Sequence, residues 1–438
     1  MTSPALTSQA GEPRVLVETS RALPLVSLAV GLKTGAFLDT PGKEGATRLL
    51  TRLMRRTGGG LEPQVIDTRI DSLGGSLGAD VAQSVTVFHG TVISRSLEPF
   101  IDLLLDVIAR PGLAELELQR LQRETLAELK DSLDDDRGLV RRWFRRRFFG
   151  DHPYGRSIGG TERTVAAIDA AEVSARYAQA FVKENLVFAF SGDITSEQAQ
   201  GIARRVASAL ASGAAPRDPT GDPAPIPGRR LVIVDKPERT QTQILIGCLG
   251  TQPYDDDHVP LLVANTIFGG TFTARMTQEV RSKRGWSYGA YSSLPIDRSR
   301  QAFSMWTFPK AEDAAPCVKL ELEMLGAFRE KGVTAKELSW AKRYLVRSHA
   351  FAIDTPQKRV GLDLDTALYD LPDGYYDDYL KRIEAVTLEQ ANAAVQKRLS
   401  DADLLVTVVG TEAQIGSALR DVIPNLASSE VIPYDRVD

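Results

Sequence analysis

Arg48, Thr51 and Arg52 share one side of an amphipathic stretch whose apolar residues, Ala46, Leu49, Leu50, Leu53 and Met54, recur at the i, i+3, i+4, i+7 spacing of a helix face. Side chains one turn apart on a helix are where a pair of metal ligands, with a base between them, would converge. These residue types cannot do that work: a guanidinium does not lose its proton to ligate a cation, and threonine is no general base near neutral pH. The histidines offer no substitute, since His89, His152, His258 and His349 have no histidine partner three or four positions away. Cys248 and Cys317 are the only cysteines and form no C-x-x-C pair, so both read as small buried hydrophobes rather than a disulfide or thiolate site. Gly58-Gly59-Gly60 lacks the Lys-Ser/Thr of a phosphate-binding loop and reads as a helix stop. His152, in the run His152-Pro153-Tyr154-Gly155-Arg156, reads as hydrogen-bonded loop structure. Arg141, Arg142, Arg145, Arg146 and Arg147 read as a solvated or inter-helix face, with an acidic partner surface as the alternative.

A second run, Gly269-Gly270-Thr271-Phe272-Thr273-Ala274-Arg275-Met276 and then Val280-Arg281-Ser282-Lys283-Arg284-Gly285-Trp286-Ser287-Tyr288, follows far along the chain. Together these runs resemble the two signatures of the pitrilysin/insulinase-type zinc metallopeptidase family. In that family two histidines and a glutamate in H-x-x-E-H bind zinc and activate water. The resemblance puts Arg48 and Arg52 at the histidine positions and Thr51 at the glutamate's. It puts Glu128, in Q-R-E-T-L-A-E-L 80 positions after Arg48, at the third ligand. It therefore implies a degenerate zinc site, with no metal or cofactor in this chain. Glu128 shares the inward side of its helix with Leu121 and Thr125, so it is expected to be partly buried and to need a partner. Arg48 or Arg52 is expected to supply one, a salt bridge filling the place of the ion; the alternative is an exposed helix carboxylate. The second signature implies that Arg281 and Tyr288 hold peptide backbone and support the tetrahedral intermediate at the active site of an opposing half. A cationic donor and a phenol hydroxyl aimed at a developing oxyanion are usual supports of acyl-group hydrolysis. Gly269 and Gly270 are expected to let backbone approach closely, to substrate or to a neighbouring helix.

Two similar halves must position these residues. Asp169 to Glu172 and Thr387 to Gln390 read as capping boxes, and each stands 23 positions before a glycine, Gly192 or Gly410, that closes a β-rich run, Leu186 to Phe190 or Leu404 to Val409. Further boxes follow at Thr195 to Gln198 and Thr411 to Gln414. Other strands are expected near Val15 to Glu18, Val26 to Leu32, Ser84 to Val92, Leu231 to Val234, Gln243 to Cys248, Tyr288 to Ser292 and Ala302 to Phe308. The proline-rich stretch 212–228 reads as a linker between domains 1–211 and 229–438. The fold class expected is α+β: two homologous domains, each a mostly antiparallel sheet with helices packed on one face.

With 53 basic and 57 acidic side chains among 438 residues, the formal charge is −4 and no sustained basic block occurs, so nucleic-acid binding is not expected. Met1 to Ser8 lacks the basic and apolar regions of a secretory signal and no run is long enough for a membrane span, which gives a cytoplasmic expectation with no membrane partner. The function expected from the resemblance is that of a non-catalytic subunit. It would pair with a homologous catalytic subunit that carries zinc on an intact H-x-x-E-H, and hold peptide or unfolded protein substrate in a shared chamber. The alternatives are a structural or assembly protein of peptidase-like fold, and a zinc peptidase with relocated ligands.

Overall fold

The computed structural model describes residues 12–218 and 221–436, so the reading of Met1 to Ser8 falls outside the described residues. The first sheet comprises β1 (Arg14–Thr19), β2 (Leu25–Leu32), β3 (Ser76–Val81), β4 (Thr86–Ile93) and β5 (Leu186–Gly192), in the order β1-β5-β2-β4-β3. The second comprises β6 (Arg229–Asp235), β7 (Gln243–Leu249), β8 (Ala290–Ser293), β9 (Ala302–Thr307), β10 (Leu404–Gly410) and β11 (Leu426–Pro433), in the order β11-β6-β10-β7-β9-β8. Strands β6 to β10 repeat the order of β1 to β5, and β11 adds alongside β6. In each sheet the first strand runs parallel to the last of its repeat, and the remaining repeat neighbours are antiparallel. Matched boundary signals in the sequence thus correspond to a matched strand order, and the α+β architecture of mostly antiparallel pairing is as expected.

Both faces of each sheet are buried, which is why β5 and β10 are near-continuous apolar runs rather than alternating ones. On the inner face Phe188 and Phe190, or Leu404, Val406 and Val408, pack under helices of their own half. The outer faces are covered reciprocally. Helix Pro356–Leu368, from the second half, lays Val360, Leu364, Ala367 and Leu368 on Leu16, Val187 and Ala189 of the first sheet. Helix Asp136–Phe149, from the first half, lays Leu139, Val140, Trp143 and Phe144 on Val232, Val234, Leu245, Leu405 and Val409 of the second. Each half's own helices thus pack on one face of its sheet, as expected, and the remaining face is closed by a helix of the other half. Ion pairs Arg147–Glu430 (2.8 Å) and Arg359–Glu18 (2.9 Å) pin the ends of the two crossing helices.

Three of the four capping signals act at helix starts. Thr195 and Thr387 form reciprocal boxes with Gln198 and Gln390. Asp169 accepts from the Glu172 N–H, while the Glu172 carboxylate turns to Arg176 instead of closing the box. Thr411 does not cap its helix: its hydroxyl donates to the Lys236 carbonyl and accepts from the Arg239 N–H, and Asp235 takes the Glu412 N–H in its place. The described part of 212–228 forms no helix or strand and is tied to both halves, through Tyr154 Oη to Asp218 (3.2 Å) and Arg300 to Asp222 (3.1 Å). Among the described residues no helix is long and apolar enough to cross a membrane.

Candidate functional site

The helix Ala46–Thr57 forms as its periodicity predicts and is anchored at its start by Asp39, whose buried carboxylate accepts from the Gly45 N–H (2.8 Å), the Thr47 N–H (2.9 Å) and the Thr47 hydroxyl (2.6 Å). Burial raises the pKa of Asp39, and these three bonds oppose it. Gly45 enters the helix at φ 99°, which a residue with a Cβ would resist. The helix stops at Gly58, and Gly59 and Gly60 follow at φ 67° and 71°, the stop expected of the triple glycine.

Arg48 and Arg52 project from this helix onto helix Glu115–Asp131 and meet the same carboxylate. Glu128 accepts from Arg48 Nη2 at 3.1 Å and from Arg52 at 3.1 and 2.8 Å, the latter two as a fork. Arg52 also donates to the Thr125 hydroxyl (3.0 Å) and stands 3.5 Å from Glu124, which Arg56 holds with a second fork at 2.9 and 2.7 Å. The bond from Arg56 lowers the pKa of Glu124 below the usual carboxylate range, burial opposing it and the charges of Arg56 and Arg52 adding to it. Thr51 is buried and spends its hydroxyl on the Thr47 carbonyl (2.7 Å). The sequence places the partners correctly but not their depth: the Glu128 side chain is 43% exposed, so the ladder lies at the rim of a cleft rather than in a dry core. Two guanidinium groups on one carboxylate, with a buried threonine between them, do not fit Zn²⁺, and among the described residues no cluster of three His, Cys, Asp or Glu would hold a metal ion.

The cleft, about 480 Å³, is bounded by Arg48, Thr51, Arg52 and Arg55 on one side, by Ile158 and Gly159 on another, and by Ala79 to Val81 of β3. Strand β3 was not legible in the sequence. It is the edge of the first sheet, paired only with β4; Arg55 Nε donates to its Leu77 carbonyl (2.9 Å), and the outer backbone groups further along the strand lie open beside the arginines.

In the second half Gly269 and Gly270 end helix His258–Phe268. A Cβ on Gly269 would stand 2.5 Å from the backbone and hydroxyl of Ser292, and one on Gly270 would stand 2.9 Å from the Thr266 backbone. Close packing therefore accounts for both glycines. The Gly269 carbonyl accepts from the Ser292 N–H (3.0 Å), which fixes β8 beside the helix end. Arg281 lies on a π-helical turn, Thr277–Lys283, a wide coil found frequently at functional sites. Gly285, at φ 67°, ends that turn, and Tyr288 follows two residues before β8 rather than at its start as expected.

Arg281 and Tyr288 are brought together. The guanidinium carbon lies 4.2 Å from the centre of the Tyr288 ring and 4.3 Å from that of Phe272, so the cation is sandwiched between two exposed aromatic faces. Arg281 Nη1 is buried without a hydrogen-bond partner, and among the described residues no carboxylate pairs with the group. Tyr288 is 71% exposed. This pair and the Arg48–Arg52–Glu128 ladder stand in different halves, and no hydrogen bond joins them among the described residues. His152 is loop structure, as read: its Nδ1 accepts from the Tyr154 N–H (3.2 Å) and its Nε2 contacts the Gly221 carbonyl (2.9 Å). A larger cleft, about 840 Å³, lies between Phe268, Phe328 and Trp340 and includes neither Arg281 nor Tyr288.

Residues 14–162 match the family described as insulinase (peptidase family M16), and residues 167–345 match the peptidase M16 inactive domain. An uncharacterized zinc protease of Streptomyces coelicolor is 26% identical over 95% of this chain and 92% of its own length. A non-peptidase homolog of Helicobacter pylori is 20% identical over 91% of this chain and 92% of its own. The crystal structure of a peptidase M16 inactive domain from Pseudomonas fluorescens superposes with a TM-score of 0.86 at 27% identity, covering 93% of this chain and 98% of the other.

Proposed function

This chain belongs to the insulinase family of M16 peptidases, and from that premise we propose that it is the non-catalytic, substrate-holding subunit of a two-chain zinc peptidase. The partner is a homologous chain whose H-x-x-E-H and glutamate carry zinc and the hydrolytic step. The observation that carries this reading is the Arg281–Tyr288 pair: a guanidinium with an unmet donor, stacked on an exposed phenol and, among the described residues, neutralised by no carboxylate. Such a group suits a peptide carbonyl whose oxygen gains charge during attack. An assembly role would leave that donor without a purpose. The arginine ladder supports the division of labour, because its side chains exclude a metal where the family binds one.

Peptide backbone extends along the open edge of β3, by strand addition, past the cleft beside Arg48 and Arg52. The test is co-expression with a homologous chain bearing intact ligands, followed by cleavage of an unfolded protein substrate. The single chain is expected to cleave nothing. In the complex, Arg281→Ala is expected to lower kcat about 10²-fold or more and Tyr288→Phe to lower it as well, as loss of an oxyanion donor does. Cleavage that survives both substitutions, or that the single chain performs alone, removes the proposal.

A further inference from the structure

Resting on the reading of the chain as a peptide holder, we propose that a pocket walled by Arg141, Arg142, Arg145, Arg146, Arg156 and Arg163 takes carboxylates of the bound peptide, so that the substrates are acidic. The pocket, about 410 Å³, lies between helix Asp136–Phe149, the loop 155–160 and the short helix Glu162–Ala166. One carboxylate lines it, Glu44, and that one accepts from the Gly42 N–H at 3.2 and 3.1 Å. Even with Arg142 and Arg146 set aside, four guanidinium groups against one occupied carboxylate are a strong local excess in a chain whose formal charge is −4.

Four of these cations, Arg141, Arg145, Arg156 and Arg163, have no carboxylate within ion-pairing distance among the described residues. Arg145 donates to the Tyr154 carbonyl (3.3 Å) and Arg156 to the Asp39 carbonyl (2.9 Å), which fixes both side chains and leaves their charge in place. Burial pushes the pKa of the Arg145 guanidinium down, the charges of Asp297 and Tyr154 opposing it. Trp143, 1% exposed, also lines the pocket, and its indole N–H is buried without a hydrogen-bond partner. The helix cannot turn its arginines elsewhere, because its opposite side is committed to the second sheet through Val140 and Phe144. Like charges held this close repel, and an entering anion relieves that repulsion while taking up the free donors.

Position selects a peptide over a free anion. Ile158 and Gly159 line both this pocket and the cleft beside β3, so the two are contiguous. In the cleft Arg48 and Arg52 are paired with Glu128 and Arg55 with Asp67, and Asp80 also lines it, while the unneutralised cationic wall lies in the pocket, at Arg141, Arg145, Arg156 and Arg163. A strand added to β3 would send alternate side chains toward that wall.

The test uses the full chain and fluorescence anisotropy of a labelled glutamate-rich peptide, its glutamine counterpart and its lysine counterpart. The glutamate peptide is expected to bind about tenfold tighter than the glutamine one. The double variant Arg141→Glu/Arg163→Glu, at exposed positions, is expected to abolish that preference, while Lys310→Glu/Lys319→Glu, which changes net charge equally, keeps it. Equal affinity for the glutamate and glutamine peptides overturns the proposal, as does a preference that survives Arg141→Glu/Arg163→Glu. Binding of inorganic phosphate with no measurable peptide binding would assign the pocket to a free anion. Loss of the partner chain from the complex with peptide preference intact would assign it to an acidic protein surface, and both outcomes refute the proposal. Cleavage by the Arg281→Ala complex reads the subunit assignment separately, since anisotropy of the single chain does not involve it.

Discussion

Replacing Glu128 by alanine removes three guanidinium bonds in one step, those at 3.1 Å to Arg48 and at 3.1 and 2.8 Å to Arg52. In a dry core the stranded cations would cost about 3–5 kcal/mol. Side-chain exposures of 43% for Glu128, 39% for Arg48 and 25% for Arg52 argue for a screened site, where each such pair contributes about 0.2–1 kcal/mol. Two neighbours soften the loss further: Glu124, already 3.5 Å from Arg52, and the Thr125 hydroxyl at 3.0 Å. The net expectation is destabilisation of about 1 kcal/mol, read as a lower urea midpoint at unchanged slope. The loss should shrink by half or more at about 0.5 M salt, where the Debye length falls to a few ångströms. The companion Glu128→Gln keeps the packing and should lose nearly as much. A loss above about 3 kcal/mol would refute the rim placement. No loss, and no dependence on salt, would refute the claim that this carboxylate organises the arginines.

Glu321 is fully buried in the second half, neither of its oxygens makes a hydrogen bond of ordinary geometry, and burial raises its pKa to about 8, the Thr307 hydroxyl opposing. The folded chain therefore holds a proton that the unfolded chain releases above 4.5, so this residue's contribution is full below pH 4.5 and is lost as pH rises toward about 8. Glu321→Gln should flatten that decline and raise stability at neutral pH by up to about 3 kcal/mol, measured by urea unfolding at about pH 5 and about pH 8; an unchanged slope with pH would refute it. Leu364→Ala, in the helix that crosses onto the first sheet, should cost about 2–4 kcal/mol and leave a single calorimetric transition. A separate early transition would show that the halves do not share that layer.

The strand repeat was legible because capping residues at matched spacing are local signals, whereas the pairing of Glu128 with Arg48 and Arg52, 76 to 80 positions apart, was reached only through the family resemblance. It did not reveal β3, whose S-L-G-A-D-V buries only Leu77 and lacks alternation, since an edge strand is held by its neighbour's backbone more than by its own side chains. Strand β11 was missed for a similar reason: L-A-S-S-E-V-I-P buries only Ile432 and is drawn into the sheet by parallel pairing with β6. The cluster Arg141 to Arg147 read as a solvated or inter-helix face, and nothing local showed that its helix would cover the opposite half's sheet. Which surface a face meets is a long-range fact that spacing does not encode. The depth of Glu128 was misjudged because an inward side was equated with a dry one, whereas long arginines on the facing helix keep water close.

Each half wears a helix grown by the other, so the chain cannot hinge apart at 212–228 without stripping apolar cover from two sheets at once. On the proposed two-chain reading, the aperture that admits a polypeptide would therefore open between this molecule and its partner rather than within it, the two lobes acting as one jaw.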